Sequence, residues 1–204
     1  MSVMLSATNC LDWICSITNT PIDVALKNAE NLSLDLNKII NSPYFLPYMS
    51  GERTPHNDPH VRGWFHFLKT TSDIDSLQYA VLEGISFGIL DGVNSISLVN
   101  SKFRDIYMVG GGSRSSFWNN LLSSILNKKL LICDQSEFGA ALGVARLAMF
   151  ADKNISDTNS IIKDIAIKNT YHPNEKIISI LEKRYQSWKE IYQNNKKNNF
   201  NIKF

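Results

Sequence analysis

The residues best placed to do chemistry are a glycine triplet, Gly110–Gly112, and two serines that follow it, Ser113 and Ser116. The apolar run 103–109 predicts a strand before the triplet, and the run 115–126 predicts an amphipathic helix after it. Glycine has no Cβ, so such a turn lets backbone N–H groups approach a flat or anionic ligand closely. The chemistry it indicates is nucleotide binding, and a tight turn in an α/β sheet without a ligand is the alternative.

The triplet matches neither of the two common phosphate-binding motifs. A Rossmann fingerprint would need glycine where Ser115 stands and an acidic residue about 20 positions further on, near 127–131, and both are missing. A P-loop would end in Gly-Lys-Ser/Thr, which is also missing. A flat slot of backbone amides and small side chains remains, into which a purine ring or a ribose could fit.

A second candidate is the loop 50–55, Ser-Gly-Glu-Arg-Thr-Pro, within the proline-rich stretch 43–59. Four prolines in this stretch exclude a long regular element. Glu52 and Arg53 could contact a polar ligand. The alternative, which we favour, is that they pair with each other or with neighbours and so fix an irregular loop.

Four side chains near this loop could in principle hold a metal ion, namely His56, Asp58, His60 and His66. Only His56 and His60 have the i, i+4 spacing of a helical ligand pair, and Pro59 stands between them. We therefore expect no metal site. The three cysteines form no C-x-x-C pair, which indicates buried thiols in a reducing compartment rather than disulfides.

Composition sets the broad class of the protein. A chain of 204 residues with 44% hydrophobic and 20% charged residues is typical of one globular domain. Its formal net charge of +2, with scattered Lys and Arg, argues against a nucleic-acid partner. No apolar run approaches the roughly 20 residues that span a bilayer, and the N-terminus lacks a basic leader, so we expect a cytoplasmic protein without a membrane partner.

Hydrophobic periodicity predicts an α/β protein, helix-rich with a small sheet. Helices are expected at 2–17, once within 19–41, at 74–98 behind a capping box Ser72-x-x-Asp75, and at 115–126, 138–148 and 177–191. Strands are expected at 63–68, 103–109 and 129–133, whereas 152–170 is polar and low in order signals. The domain is placed at 1–193, followed by a disordered tail at 194–204.

Five segments in co-linear order resemble the xylulose kinases of the FGGY family of carbohydrate kinases. They are SVMLSATNCLDW at 2–13, FLPYMSGERTPHNDP at 45–59, AVLEG at 80–84, VGGGSRSSFW at 109–118 and GAALGVAR at 139–146. The resemblance covers about residues 2–150. One departure lies near Phe67 and Lys69, where the family usually has small residues and threonine.

This resemblance implies an actin-like, ribonuclease-H-like ATPase fold of two lobes, with ATP and its magnesium ion bound between them. The sugar and the catalytic aspartate belong to the N-terminal lobe, and the C-terminal lobe holds the adenosine. By motif matching, Gly111, Gly112, Ser113 and Ser116 would line the adenine and ribose. Ser6 and Cys10, one helical turn apart, would flank the nucleotide from the other side.

The resemblance also implies that these 204 residues make up a partial lobe. No residue matches the catalytic aspartate, so the expectation is a chain from a truncated or split gene, inactive alone, that binds ATP weakly and meets the sugar only through the N-terminal lobe. A non-catalytic binding module, or a subunit that pairs with a separate N-terminal lobe, is the alternative, and a Rossmann-type protein is a weaker one. The apolar helix 2–17 would be left exposed, which predicts self-association.

Overall fold

The computed structural model describes residues 1–97, 105–134, 136–153 and 166–197. Its helices are α1 (Thr8–Ile17), α2 (Ile22–Ser33), α3 (Leu36–Asn41), α4 (Ile74–Ser97), α5 (Ser116–Leu126), α6 (Gly139–Lys153) and α7 (Glu175–Lys197). Its strands are β1 (Tyr44–Leu46), β2 (Trp64–His66), β3 (Ile106–Met108), β4 (Leu130–Cys133) and β5 (Ile167–Tyr171). Short 3₁₀ turns at Gly111–Arg114 and Ser136–Phe138 precede α5 and α6.

Helix α4 is the centre of the fold, and it packs against α1, α2, α5, α7 and β1. All residues from Gln78 to Gly88 are buried, as expected for a helix surrounded by other elements. A Cβ at Gly84 would overlap the carbonyl oxygen of Phe45, so glycine is what lets α4 and β1 approach each other.

A buried ion pair joins α7 to α4. The guanidinium of Arg184 donates Nε to Glu83 Oε1 at 2.7 Å and Nη2 to Oε2 at 2.6 Å. Arg184 also donates to the carbonyl oxygens of Ile40, Ser42 and Pro43, each at 3.2 Å. One side chain thereby ties α7 to α4 and to the end of α3.

The strands form two small sheets. In the first, β1 and β2 are antiparallel, with Phe45 opposite Phe65. In the second the order is β3-β4-β5, with β3 parallel and β5 antiparallel to β4. All four residues of β4 are buried, as expected for the central strand of this sheet.

The predicted strands at 63–68, 103–109 and 129–133 correspond to β2, β3 and β4, and 98–104 lies outside the described residues. The structure adds two strands that the sequence did not predict, β1 in the proline-rich stretch and β5 at the end of the polar stretch 152–170. The strand β5 is the less expected of the two. Four of its five residues are exposed, so it has no alternating apolar pattern, and it is ordered by backbone pairing with β4.

Two helix predictions differ from the structure. The helix predicted at 2–17 begins only at Thr8, because the backbone before it bonds to the loop: Thr54 Nα donates to the Val3 carbonyl at 3.0 Å, and Leu5 Nα to Glu52 Oε1 at 3.1 Å. The single helix expected within 19–41 is two helices, α2 and α3, with Asp35 capping the second by accepting from Asn37 Nα. Local periodicity cannot foresee a pairing with a segment 50 residues away.

The capping box of α4 lies one residue later than predicted. Asp73 accepts from Ser76 Nα at 2.9 Å, while Ser76 Oγ accepts from Asp73 Nα at 3.0 Å. Both members of a capping box are thus present, with serine in the place usually taken by Glu or Gln. Ser72 instead accepts from Lys69 Nα in the preceding turn.

Exposed apolar surface is not concentrated where the sequence predicted it. In α1, Cys10, Leu11, Ile14 and Cys15 are buried, although Ile17 is 60% exposed.

Helix α7 runs through Lys197, so the first four residues of the expected tail are helical, and 198–204 lie outside the described residues. Within the described part of the chain, no helix combines the length and apolarity needed to cross a membrane.

The glycines of α4 provide a matched pair for measuring how tightly it packs. We expect Gly84→Ala to lower the free energy of unfolding by about 1–3 kcal/mol, because its methyl group would displace the β1 backbone. We expect Gly88→Ala to raise it by about 0.5–1 kcal/mol, since its Cβ would lie 3.6 Å from Pro47 Cγ and alanine is the better helix former. Urea unfolding measures both, and effects of the same sign would contradict the close approach at Gly84.

The buried ion pair gives a second expectation. Glu83→Ala should lower the free energy of unfolding by about 3–5 kcal/mol, because it leaves the guanidinium of Arg184 buried without its carboxylate. The control is Lys27→Ala in the exposed Lys27–Glu30 pair, for which the loss should stay within about 1 kcal/mol. Equal losses in the two variants, measured by urea unfolding, would show that the Arg184–Glu83 pair contributes no more than a surface pair.

Candidate functional site

The glycine turn connects the end of β3 to the start of α5. Gly110 has φ +90°, a backbone conformation that residues with a Cβ rarely adopt. Its backbone N–H donates to the Ser136 carbonyl at 2.9 Å. The chain then forms the 3₁₀ turn Gly111–Arg114. Ser115 caps α5 by accepting from Trp118 Nα at 3.2 Å, so the turn is fixed at both ends.

The three glycines serve different purposes. A Cβ at Gly110 or Gly111 would meet no atom within 4 Å, so the backbone there faces open space. A Cβ at Gly112 would lie 3.0 Å from the ring of Trp118 and 3.1 Å from Met108 Cε. The backbone face at Gly110 and Gly111, which we call the slot, is open, whereas a Cβ at Gly112 would have to displace Trp118 or Met108 by a few tenths of an ångström.

Hydrogen bonds behind the slot hold it rigid. Ser113 Oγ donates to the Gly110 carbonyl at 2.7 Å and lies 3.0 Å from Ser136 Oγ. Asn119 Nδ2 donates to the Ser113 carbonyl at 2.8 Å. Trp118 Nε1 donates to Ser86 Oγ at 3.0 Å, which links the turn to α4. The hydroxyl of Ser113 therefore shapes the turn, and its donor is already in use.

A cavity of about 140 Å³ lies beside the turn, against β4 and β5. Its polar lining comes from Ser113, Ser116, Ser136, Lys168, Asn169 and Tyr171. Ser116 Oγ lies 3.1 Å from Tyr171 Oη, and Arg114 Nε donates to Glu137 Oε2 at 2.5 Å at the rim. Ligand pockets usually measure 300–1,000 Å³, so this cavity could take only part of a nucleotide.

Ser6 lies in the segment before α1 and Cys10 in its first turn, so the prediction that they are one helical turn apart is wrong, and neither belongs to this cavity lining. Both are buried, and Cys10 Sγ donates to the Pro47 carbonyl at 3.4 Å. Burial raises the pKa of the Cys10 thiol to about 12, so it stays protonated. Ser6 Oγ is buried and has no partner of full hydrogen-bond geometry among the described residues, although it lies close enough to the Cys10 thiol to oppose the rise in the pKa of that thiol.

Thus the predicted Gly111, Gly112 and Ser113 share one turn and Ser116 begins α5, whereas Cys10 lies in α1 and Ser6 just before it. The two sets are connected through α4, against which both α1 and α5 pack. The sequence missed Ser136, Asn119 and Tyr171, which support the turn or line its cavity. Tyr171 comes from the unpredicted strand β5, and neither Ser136 nor Asn119 carries a local signal.

The loop 50–55 is fixed by Glu52. This side chain is only 2% exposed, and its Oε1 accepts from Leu5 Nα at 3.1 Å and from Arg53 Nα at 2.7 Å. Burial raises the pKa of its carboxyl, against the effect of these hydrogen bonds. The geometry agrees with the alternative that we favoured from the sequence, in which Glu52 holds the loop rather than a ligand.

His56 is occupied in the same region. Its Nε2 lies 2.9 Å from Tyr48 Oη, and its ring stacks on Tyr192 with centroids 3.7 Å apart. Burial lowers the pKa of His56 to about 4, so the ring is neutral at pH 7. Burial also raises the pKa of Asp91, which accepts a short hydrogen bond from Tyr185 Oη. These contacts join the loop to α4 and α7.

Comparison with known proteins finds relatives over nearly the whole chain. A model of the FGGY family of carbohydrate kinases, C-terminal domain, matches residues 2–151. The xylulose kinase of Escherichia coli K12 is 32% identical over 196 residues, which are 95% of this chain and 39% of that protein. The chain therefore spans about two fifths of the length of such relatives.

Solved structures give the same result. The "xyloylose kinase" of Brucella ovis has a TM-score of 0.82 and 34% identity over 95% of this chain and 39% of its own. A glycerol kinase of Plasmodium falciparum, solved with ADP, has a TM-score of 0.64 and 18% identity over 90% of this chain and 36% of its own, a likeness of fold alone. These FGGY kinases have the actin-like ATPase fold, which confirms the predicted class of a partial, helix-rich α/β lobe.

The motif match, the similarity in sequence and the shared fold all lead to one assignment: this chain belongs to the FGGY family of carbohydrate kinases, resembles its xylulose kinases, and corresponds to their C-terminal domain.

Proposed function

We propose that this chain is the adenosine-binding lobe of an ATP-dependent sugar kinase. The observation that carries the proposal is the open backbone face at Gly110 and Gly111, just after the end of β3. A Cβ at either glycine would meet no atom within 4 Å. A purine ring can stack on a backbone surface without side chains, and the open face at these glycines would admit it. Ser116, in the first turn of α5, has a hydroxyl at the cavity that could accept from or donate to a ribose.

Ser6 and Cys10 are proposed to flank the nucleotide from α1 and the segment before it. The buried hydroxyl of Ser6 supports this placement, because its contact with the Cys10 thiol lacks full hydrogen-bond geometry and a ligand atom could supply a better partner. Cys10 can contribute only as a small neutral side chain, since its thiol stays protonated. Binding by these residues together requires that α4 hold α1 and α5 in fixed positions.

The proposed reaction of the complete kinase is phosphoryl transfer from MgATP to D-xylulose, as the names of the relatives indicate. Such a transfer needs a base that takes the proton of the attacking hydroxyl, together with groups that stabilise charge on the phosphate. The glycine turn and its serines provide neither, because their hydroxyls and amides can only bind and orient the nucleotide. We therefore propose that the 204 residues alone do not catalyse the reaction. We expect the protein to work in the cytoplasm.

The second candidate is a binding subunit that completes its site with a separate N-terminal lobe. In this candidate the chain supplies the part that aligns with 39% of the Escherichia coli relative, and a second polypeptide supplies the rest. A non-catalytic module that keeps the adenosine slot for another purpose has the same half-site. The two differ in whether an N-terminal lobe restores turnover.

Catalytic activity of the isolated chain is the first test. We expect no release of ADP above background when the purified 204 residues are mixed with MgATP and D-xylulose, because no residue of the turn can accept the substrate proton. A coupled ADP assay measures this, with the Escherichia coli xylulose kinase as the positive control. Turnover that rises in proportion to the amount of chain would overturn the proposed inactivity.

Nucleotide binding is the second test. We expect adenosine, ADP and ATP to bind with affinities within about threefold of one another, because the half-site contacts the nucleoside and not the phosphates. Gly111→Leu should weaken binding at least about tenfold, or about 1.4 kcal/mol, since its side chain would fill the open slot. Gly143→Leu, at a glycine of α6 that also has nothing within 4 Å, is the matched control and should bind as the unchanged chain does. Isothermal titration measures the affinities, and equal binding by both variants would exclude the slot.

A further inference from the structure

A second cavity, of about 250 Å³, lies between α2, α3, the connection from β2 to α4, and the first residues of α4. It is larger than the cavity beside the glycine turn, and none of its described lining residues is shared with that cavity. Its volume, just below the roughly 300 Å³ at which ligand pockets usually begin, suits a small molecule. Much of its polar lining comes from α3 and from the connection, namely Lys38, Asn41, Lys69, Thr71, Ser72 and Asp73.

A tight turn at 69–72 fixes the wall that carries Lys69. The backbone N–H of Ser72 donates to the Lys69 carbonyl at 2.9 Å, and the backbone N–H of Lys69 donates to Ser72 Oγ at 3.0 Å. Lys69 Nζ in turn donates to Asn41 Oδ1 at 2.8 Å, which connects the turn to α3. The ammonium group is therefore held at the cavity, and two of its three N–H donors are not used by the described residues.

The cavity has more free donors than free acceptors. Among the described residues, the amino group of Lys38 and the hydroxyl of Thr71 have no hydrogen-bond partner and no ion-pair partner. The hydroxyls of two buried lining residues are in use: Ser42 Oγ donates to the Lys38 carbonyl at 2.8 Å. Ser76 Oγ donates to the Asp73 carbonyl at 2.7 Å. Two ammonium groups with donors to spare favour an anionic ligand, and a phosphate group offers several strong acceptor oxygens.

The carboxylate of Asp73 also lines the cavity, and it limits which anion fits. The hydrogen bond from the Ser76 backbone N–H lowers the pKa of Asp73, and the charge of Lys38 lowers it further, so the group is ionised at pH 7. An ionised carboxylate accepts hydrogen bonds but repels a bare oxyanion. Two lysines and one aspartate leave a net charge of +1 in the lining. A phosphate that carries hydroxyl groups matches all three charges, because its hydroxyls can donate to Asp73.

We propose that this cavity, which we call the α3–α4 cavity, binds a small phosphorylated sugar. The ammonium groups of Lys38 and Lys69 hold the phosphate, and Thr71 and Asp73 bind the sugar hydroxyls. The site does not rely on the N-terminus of α4, where Asp73 already accepts from the Ser76 backbone N–H. Binding does not depend on the proposed function and uses none of its residues. The proposed reaction of the complete kinase yields a compound of this class, so its product could occupy the α3–α4 cavity.

Isothermal titration of the 204-residue chain with three probes tests the class of ligand. The probes are ribose 5-phosphate, inorganic phosphate and ribose. We expect ribose 5-phosphate to bind at least about tenfold more tightly than either of the others, because it alone can use both the ammonium groups and the carboxylate. Equal binding by either of the other probes, or no saturable binding of ribose 5-phosphate, overturns the inference.

Three single variants locate the binding site. Lys38→Gln and Lys69→Gln should each weaken the binding of ribose 5-phosphate at least about fivefold, because each removes one charged donor from the cavity. Lys176→Gln is the matched control, since this exposed lysine of α7 lies outside the described lining and its loss changes the net charge equally. Equal affinities among the three variants, whether or not they match the unchanged chain, overturn the assignment to the α3–α4 cavity.

A fourth variant, Gly111→Leu, separates the α3–α4 cavity from the glycine turn. It should leave the affinity for ribose 5-phosphate unchanged, and Lys38→Gln should leave the affinity for adenosine unchanged. If Gly111→Leu instead weakens the binding of ribose 5-phosphate, that probe binds at the glycine turn and the inference is wrong. Failure of the proposed nucleotide half-site would be seen in the adenosine titration alone, so the two failures are distinguishable.

Discussion

The Arg184–Glu83 ion pair is the interaction on which the rest of the fold depends. Arg184 is 4% exposed and Glu83 is 1% exposed, so both charges have lost almost all contact with water. The loss is offset because the guanidinium donates five hydrogen bonds, two to the Glu83 carboxylate and three to backbone carbonyl oxygens. The ring of Tyr44 covers one face of the guanidinium, with its centroid 4.3 Å from Arg184 Cζ. A helix near the end of the chain is thereby fixed to the segment that leads into β1.

From this pair the constraint passes along α4 to the candidate site. Glu83 stands next to Gly84, which lets β1 approach, and one turn further Ser86 receives the indole of Trp118. Trp118 in turn packs under Gly112, so the glycine turn is held by a helix that is itself fixed by a buried charge pair. The slot at Gly110 and Gly111 has little freedom to close in the absence of a ligand. This is the preorganisation that a binding surface needs if it is not to lose affinity in ordering itself.

In the proposed function the glycine turn forms one wall of a nucleotide cleft. Its polar groups are spent on shaping the turn, as the hydroxyl of Ser113 shows, and its cavity is smaller than a nucleotide. The loop 50–55 looked like a second candidate for ligand contact, but Glu52 uses its carboxylate on the backbone of residues 5 and 53. What remains for the proposed function is the open backbone face at Gly110 and Gly111.

The sequence by itself determined the class, the glycine turn, the positions of α4, α5, β3 and β4, and the family, because these depend on local periodicity, on glycine and on motifs that stay together along the chain. It could not determine where α1 begins, since residues 3 and 5 leave the helix to bond with a loop 47 to 51 residues away. It could not foresee β5, whose exposed side chains carry no pattern, or Asn119 and Ser136 behind the turn. Only the tertiary structure decided these, because backbone pairing and buried hydrogen bonds are made between segments that the sequence does not mark as neighbours.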